Sequence, residues 1–71
     1  MKKTVECIAI RDTHLSESPK LKDLVLLEAI WFDRIKGLYY IDFDNPLSTL
    51  LLMRFPELAI DNPQTITVTI N

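Results

Sequence analysis

The side chains best suited to nucleophilic chemistry are one cysteine and one histidine near the start of the chain. Cys7 is the only cysteine and His14 the only histidine. A thiol nucleophile needs a neighbouring base and donors that stabilise the developing oxyanion. Asp12 lies between the two residues, but His14 belongs to a polar segment and nothing in the pattern supplies the donors. Cys7 alternates with apolar residues, which is typical of a buried, inert thiol. We therefore predict no catalytic residue and no enzyme.

Three carboxylates form the candidate cation site. Asp42 and Asp44 share one face of a predicted strand, and Glu28 lies opposite Asp42 in the predicted pairing. Hard cations prefer such oxygen ligands, but a calcium loop also needs a glycine and closely spaced ligands. Gly37 is the only glycine, so a glycine-rich phosphate loop is excluded as well. We predict no metal, no other cofactor and no small-molecule substrate.

Basic and aromatic residues near the middle of the chain form a candidate nucleic-acid surface. Small barrels bind single strands by combining basic side chains with aromatic rings on which bases stack. The formal net charge of −2, from 8 basic and 10 acidic residues, argues against a general polyanion binder. A nucleic-acid-binding small β-barrel is therefore the alternative function. Its residues would be Lys20, Lys22, Arg34 and Lys36, with Trp31, Tyr39 and Tyr40.

The length of the chain limits the elements that can position these residues. The 71 residues, 48% hydrophobic and 25% charged, predict one small globular domain. A single cysteine excludes an intramolecular disulfide, which suits a reducing compartment. No apolar run is long enough to span a membrane. We predict a cytoplasmic protein without a membrane partner.

Strands are predicted at both ends of the chain. Residues 4–10 are rich in β-branched side chains and nearly alternate, and residues 65–70 alternate threonine with an aliphatic residue. Residues 11–23 are polar and predict a long loop. The apolar face of the last strand must be buried, either by closing a barrel or by pairing with another chain as an added strand.

The segment from Leu24 to Phe32 fits two structures. Pro19 and Gly37 stand where a helix would begin and end, but a helix would place Glu28 in the middle of its apolar side. A hairpin of residues 25–32 and 38–44, joined by the five residues 33–37, gives a cleaner pattern and is favoured. It buries Trp31, Tyr39, Ile41 and Phe43.

Two Asp-Asn-Pro tripeptides break the second half of the chain, at residues 44–46 and 61–63. Asparagine favours turns, and the residue before a proline avoids the helical region. Residues 47–55, between these breakers, fit a helix or a strand.

Five short motifs follow one another along the chain: Val5-Glu6-Cys7-Ile8, Ser18-Pro19-Lys20-Leu21, Gly37-Leu38-Tyr39-Tyr40, Asn45-Pro46 and Arg54-Phe55. Their order resembles small bacteriophage and prophage proteins. The resemblance covers about residues 4–60 and implies a Src-homology-three-like β-barrel. We therefore predict an all-β fold, a five-stranded antiparallel barrel, with an α+β fold containing a helix at about residues 19–36 as the alternative. Asp23-Leu24 stands where those proteins have Gly-Lys, and Leu26 where they have Tyr.

The predicted hairpin leaves one apolar surface facing solvent. The pairing that buries Trp31 turns large apolar side chains outward, and soluble monomers rarely leave such a patch open. We predict a non-enzymatic interaction module that docks on a protein partner, on a host factor or on a second copy of itself. The resemblance implies that it is of phage or prophage origin. The predicted partner-binding residues are Ile30, Phe32, Leu38 and Tyr40, with Arg34 steering an acidic partner.

Overall fold

The computed structural model describes residues 1–70 and shows an α+β fold with one antiparallel sheet. The sheet has four strands in the order β2-β3-β1-β4 and curls into a half-barrel. The predicted all-β, five-stranded barrel is therefore wrong, and the α+β alternative names the correct class. The strands are β1 (Lys2–Arg11), β2 (Trp31–Asp33), β3 (Leu38–Asp42) and β4 (Gln64–Thr69).

Four short helices account for most of the remaining chain. None of them is long and apolar enough, within residues 1–70, to cross a membrane. The third lies in the segment that fitted either a helix or a strand. The helices are α1 (Asp12–Ser16), α2 (Pro19–Glu28), α3 (Pro46–Arg54) and α4 (Leu58–Asp61).

The central strand β1 pairs with different neighbours along its two halves. Its first half pairs with β4, from Lys2 opposite Thr69 to Cys7 opposite Gln64. Its second half pairs with β3, from Cys7 opposite Asp42 onwards. The change of partner at Cys7 leaves β2 and β4 as the two outer strands, on opposite sides of an incompletely closed barrel.

Helix α2 replaces the first half of the first strand of the predicted hairpin, residues 25–28. Pro19 occupies the first turn, where its missing N–H costs no hydrogen bond. Only Val25 and, in part, Leu21 face the core, whereas Leu24 and Leu27 are exposed. The apolar stripe is therefore narrow, which explains why helical periodicity was weak. The predicted loop at residues 11–23 is in fact occupied by α1 and the first turns of α2.

The hairpin itself forms between β2 and β3, with a register one residue away from the prediction. Trp31 lies opposite Tyr40, not Tyr39, because β2 ends at Asp33 and the connecting loop has four residues rather than five. A shift of one residue turns the side chains of β2 to the other face relative to β3. Gly37 has φ +66°, as its predicted turn role requires.

This shift changes which hairpin residues are buried. Ile41 is fully buried as predicted, but Trp31 is 50% exposed, so its assignment to the core is wrong. Tyr39 and Phe43 are half-buried against the core.

The two Asp-Asn-Pro tripeptides both break the chain, but each asparagine binds different groups. Asn45 caps α3, accepting a hydrogen bond from the Leu47 N–H at 2.9 Å. Asn62 follows α4, and its Oδ1 accepts the N–H of Ala9 at 2.9 Å. Ala9 lies beyond the last β1 residue that pairs with β4, so its N–H has no partner on that strand. The Asn62 side chain supplies this partner.

The two faces of the sheet carry separate apolar clusters. The helix face packs against all four helices, and its buried cluster combines strand residues with helix residues and one loop residue. The open face has a smaller buried cluster, made of strand residues only. The helix-face cluster is Ile8, Ile10, Leu15, Val25, Ile41, Leu47, Leu51, Phe55 and Leu58. The open-face cluster is Cys7, Ala9 and Tyr40, with Leu38 and Ile66 packed against it.

Candidate functional site

The open face forms a groove between the two outer strands of the sheet. Trp31 of β2 stands on one wall, and Ile66 and Thr67 of β4 stand on the other. Tyr40 contributes to the lining between them and is itself buried. The groove has a volume of about 260 Å³. The outer strands β2 and β4 both line this groove although they are at opposite edges of the sheet. The groove therefore lies in the gap that a further strand would fill to close the barrel.

The polar groups of the groove are few. Asp33 accepts the backbone N–H groups of Ile35 at 3.0 Å and Lys36 at 3.2 Å, so its carboxylate is held in the β2–β3 turn. The Lys36 side chain lines the same wall and is exposed. Burial, together with Asp33 and Cys7, raises the pKa of Tyr40, so the phenol stays neutral at physiological pH. Asp33 and Lys36 lie beside the Trp31 indole. Such a lining suits a ligand whose apolar side chain is flanked by polar groups.

The outer edge of β4 presents unpaired backbone groups next to this groove. Met1 and Ile70 exchange two backbone hydrogen bonds, of 2.7 and 3.1 Å. Bonded pairs alternate with unbonded pairs in an antiparallel ladder, so Ile66 and Val68 also direct their N–H and C=O groups toward β1. The residues between them direct theirs outward, away from β1. These outward-facing residues are Thr65, Thr67 and Thr69.

The two outer strands differ as potential binding edges. Edge strands are normally protected by shortness, charge or proline. Strand β2 has three residues and runs into Asp33, Arg34 and Lys36. Strand β4 has six residues, and no charged residue or proline occurs from Gln64 to Ile70. The β4 edge is therefore the unprotected one.

The predicted partner-binding residues do not share one face. Phe32 packs on Tyr39 with ring centroids 4.4 Å apart, on the helix face. Tyr40 and Leu38 belong to the open face. Arg34 is exposed in the turn, and Ile30 is half-buried, its N–H donating to the Tyr40 carbonyl at 2.7 Å. That these residues bind a partner stays a prediction. Sequence reasoning missed Ile66 and Thr67, although their strand was predicted.

The candidate nucleophile is buried as predicted. Cys7 has no exposed surface, and its thiol donates to the Gln64 carbonyl at 3.4 Å. Burial, and to a smaller extent the charge of Asp42, raises its pKa to about 11. The thiolate is therefore scarce near neutral pH, and the reactivity of the sulfur is low.

His14 lies in a folded position rather than on a solvated loop. Its Nδ1 accepts the Arg11 N–H at 3.3 Å, and its Nε2 lies 3.5 Å from a Glu57 carboxylate oxygen. Its ring packs on Phe55 with centroids 5.0 Å apart. It lines a second cavity, of about 400 Å³, together with both acidic and basic residues, including Asp61. These contacts link α1 to the segment that leads into α4.

Two of the three carboxylates considered for a cation accept hydrogen bonds within the protein. Asp42 accepts the Asp44 N–H at 2.9 Å, and Glu28 accepts the side-chain amide of Asn45 at 3.1 Å. Within residues 1–70, no cluster of three or more His, Cys, Asp or Glu side chains is placed to hold a metal ion.

Comparison of the chain with protein-family models, with curated proteins and with solved structures gave no match. The phage-protein resemblance therefore stays a prediction, and function must be argued from the groove and the β4 edge.

Proposed function

We propose that this protein is a non-enzymatic interaction module that binds an extended segment of a protein partner as an added strand on β4. The observation that carries the proposal is the outer edge of β4, which is unprotected by charge or proline and lies beside an open groove. Strand addition gains affinity from main-chain hydrogen bonds and specificity from pockets that accept alternate side chains.

The half-barrel supplies both parts of such a site. Thr65, Thr67 and Thr69 offer outward N–H and C=O groups to an incoming strand. Side chains of that strand on the open face would lie beside Ile66, opposite the half-exposed Trp31. Tryptophan is enriched among residues that dominate binding energy, so Trp31 is the expected anchor.

The test uses displayed random peptides as the probe. A library of peptides is selected on the immobilised protein, and the recovered peptides are measured against Thr67→Pro and Thr67→Val. Proline removes the outward N–H without touching the ladder to β1, as edge strands tolerate. Valine keeps the N–H and a similar shape, so it is the matched control. We expect binding to fall about tenfold in Thr67→Pro, because one main-chain hydrogen bond is lost and its acceptor on the peptide is left unpaired. Binding should change little in Thr67→Val.

A second pair of variants examines the groove. Trp31→Ala should weaken the same peptides, whereas Leu27→Ala, at an 81% exposed residue of α2, should not. Circular dichroism confirms that each variant is folded. Peptides that bind folded Thr67→Pro as tightly as the unaltered protein would contradict strand addition at this edge.

The exposure of Trp31 also favours the second candidate, single-stranded nucleic acid. The indole is half-exposed and shares the groove with Lys36, an arrangement on which a base can stack. Trp31 is the only tryptophan, so its fluorescence reports on this groove directly. Binding of a thymidine oligomer would quench that fluorescence and weaken steeply with added salt. Unchanged fluorescence at low salt would exclude this function.

A further inference from the structure

The β4 edge is complementary to itself. Its outward-facing residues are all threonines, and the residues between them are aliphatic from Ile66 to Ile70. Two copies of such a strand can pair antiparallel with the same residue types opposite each other. Closed two-fold symmetry requires this kind of self-complementary surface.

We propose that the strand bound at the β4 edge is β4 of a second copy of this chain, paired antiparallel about a two-fold axis at Thr67. This inference rests on the proposed function and names its partner. The resulting dimer would have one continuous sheet, with the open faces of both copies on the same side.

The backbone determines the register. Only outward-facing residues can hydrogen-bond across the new interface, so a threonine must lie opposite a threonine. Placing Thr67 opposite Thr67 of the second copy satisfies this condition and pairs all three threonines of each strand, whereas placing Thr65 opposite Thr67 would pair only two. Thr65 then lies opposite Thr69 of the other copy, and each such pair exchanges two hydrogen bonds.

The side chains agree with the same register. Ile66 lies opposite Val68 of the second copy, and both belong to the open face, where Val68 is buried and Ile66 is half-buried. Threonine pairs and β-branched pairs across strands are stabilising. Since no charged residue occurs from Gln64 to Ile70, no like charges are brought together within the paired strands.

The proposed register can be tested with opposite charges at the axis. In Thr67→Lys, two ammonium groups would lie opposite each other, and in Thr67→Glu two carboxylates would do so. Each variant alone should dimerise at least about tenfold more weakly than the unaltered chain, because like charges are juxtaposed. An equimolar mixture should form a heterodimer, since lysine then faces glutamate. Thr49→Lys, at an exposed position on α3, is the matched control and should dimerise normally.

Sedimentation velocity over a concentration series measures these states, and circular dichroism verifies folding. Dimerisation of the unaltered chain that is lost in both variants and recovered in their mixture supports the proposal. An unaltered chain that stays monomeric at millimolar concentration overturns it, as does a dimer that tolerates Thr67→Lys. If the chain is monomeric but selected peptides still bind in a Thr67→Pro-sensitive manner, the second copy is excluded while strand addition stands. If neither occurs, both proposals fail.

Discussion

The two halves of β1 lie in different surroundings although they belong to one continuous strand. Residues 7–10 are buried and pair with β3. Ile8 and Ile10 pack against the helices, and Cys7 and Ala9 belong to the open-face cluster. Residues 2–6 are exposed or half-buried and pair with β4. The burial pattern changes at Cys7, where the strand changes its neighbour.

This difference separates the part of the sheet that stabilises the fold from the edge that we propose for recognition. The half with helices on one face contains most of the apolar core, and burial of apolar area is the main stabilising term in folding. The half beside β4 carries few buried residues, and its outer edge is open. A small domain can therefore expose an edge for binding without exposing its core.

The largest expected effect comes from a buried residue of the second half. Ile8→Ala should destabilise the protein by about 2–5 kcal/mol, because it leaves a cavity among buried aliphatic side chains. Val5→Ala, on the same strand but half-buried, should cost about 1 kcal/mol or less. Urea unfolding measures both free energies. Equal losses for the two variants would show that the halves do not differ.

The next effect concerns the point where β4 begins. Asn62→Ala removes the acceptor of the Ala9 N–H and should cost about 1–3 kcal/mol, since a part-buried donor is left without a partner. The Asn62 side chain also donates to the Leu58 carbonyl at 2.6 Å. Asn62→Asp loses that donor but keeps the oxygen that accepts from Ala9, so it should retain part of the stability. Thermal unfolding compares the two. An alanine variant as stable as the parent would mean that neither hydrogen bond of the Asn62 side chain contributes to stability.

A smaller effect should appear as alkaline destabilisation at the junction of the halves. Burial raises the pKa of Cys7 from 9.0 to about 11, so the folded state holds its proton more tightly than the unfolded state. The stabilisation is fully present below pH 9 and is lost as pH rises toward 11. Between pH 9 and 10 the unaltered protein should lose stability faster than Cys7→Ala. Both retain Tyr39 and Tyr40, so their difference isolates the thiol, and parallel pH profiles would contradict its burial.

The smallest effect on stability belongs to the groove. Trp31→Ala should cost about 1 kcal/mol, because half of the side chain is already in contact with water. Urea unfolding of this variant beside Ile8→Ala provides the comparison. A loss of stability as large as that of Ile8→Ala would show that Trp31 is a core residue. Trp31 would then not be available to anchor a bound strand in the groove.

Strongly patterned segments were predictable from the sequence. The alternation of residues 65–70 predicted β4, and the apolar run around Cys7 predicted both β1 and a buried thiol. The Asp-Asn-Pro tripeptides predicted two breaks, and a helix was one of the two structures considered between them. In each case a local pattern agrees with the tertiary structure.

The errors arose where packing decides between two local patterns. Helix α2 buries only Val25 and part of Leu21, so its sequence carries almost no helical stripe. The hairpin register depended on whether Asp33 belongs to the strand or to the turn, and that one residue exchanged the faces of Trp31 and Phe32. The β4 strand was predicted, but its open edge depends on the order of all four strands.

Amide hydrogen exchange along β4 tests the central claim, that the outer edge of this strand is where another strand binds. At low protein concentration the amides of Ile66 and Val68, bonded to β1, should exchange slowly, and that of Thr67 should exchange fast. At concentrations where the protein associates, or with a selected peptide bound, the Thr67 amide should become slow as well. If the Thr67 amide exchanges fast while the protein is dimeric or peptide-bound, the edge is unoccupied and the account is wrong.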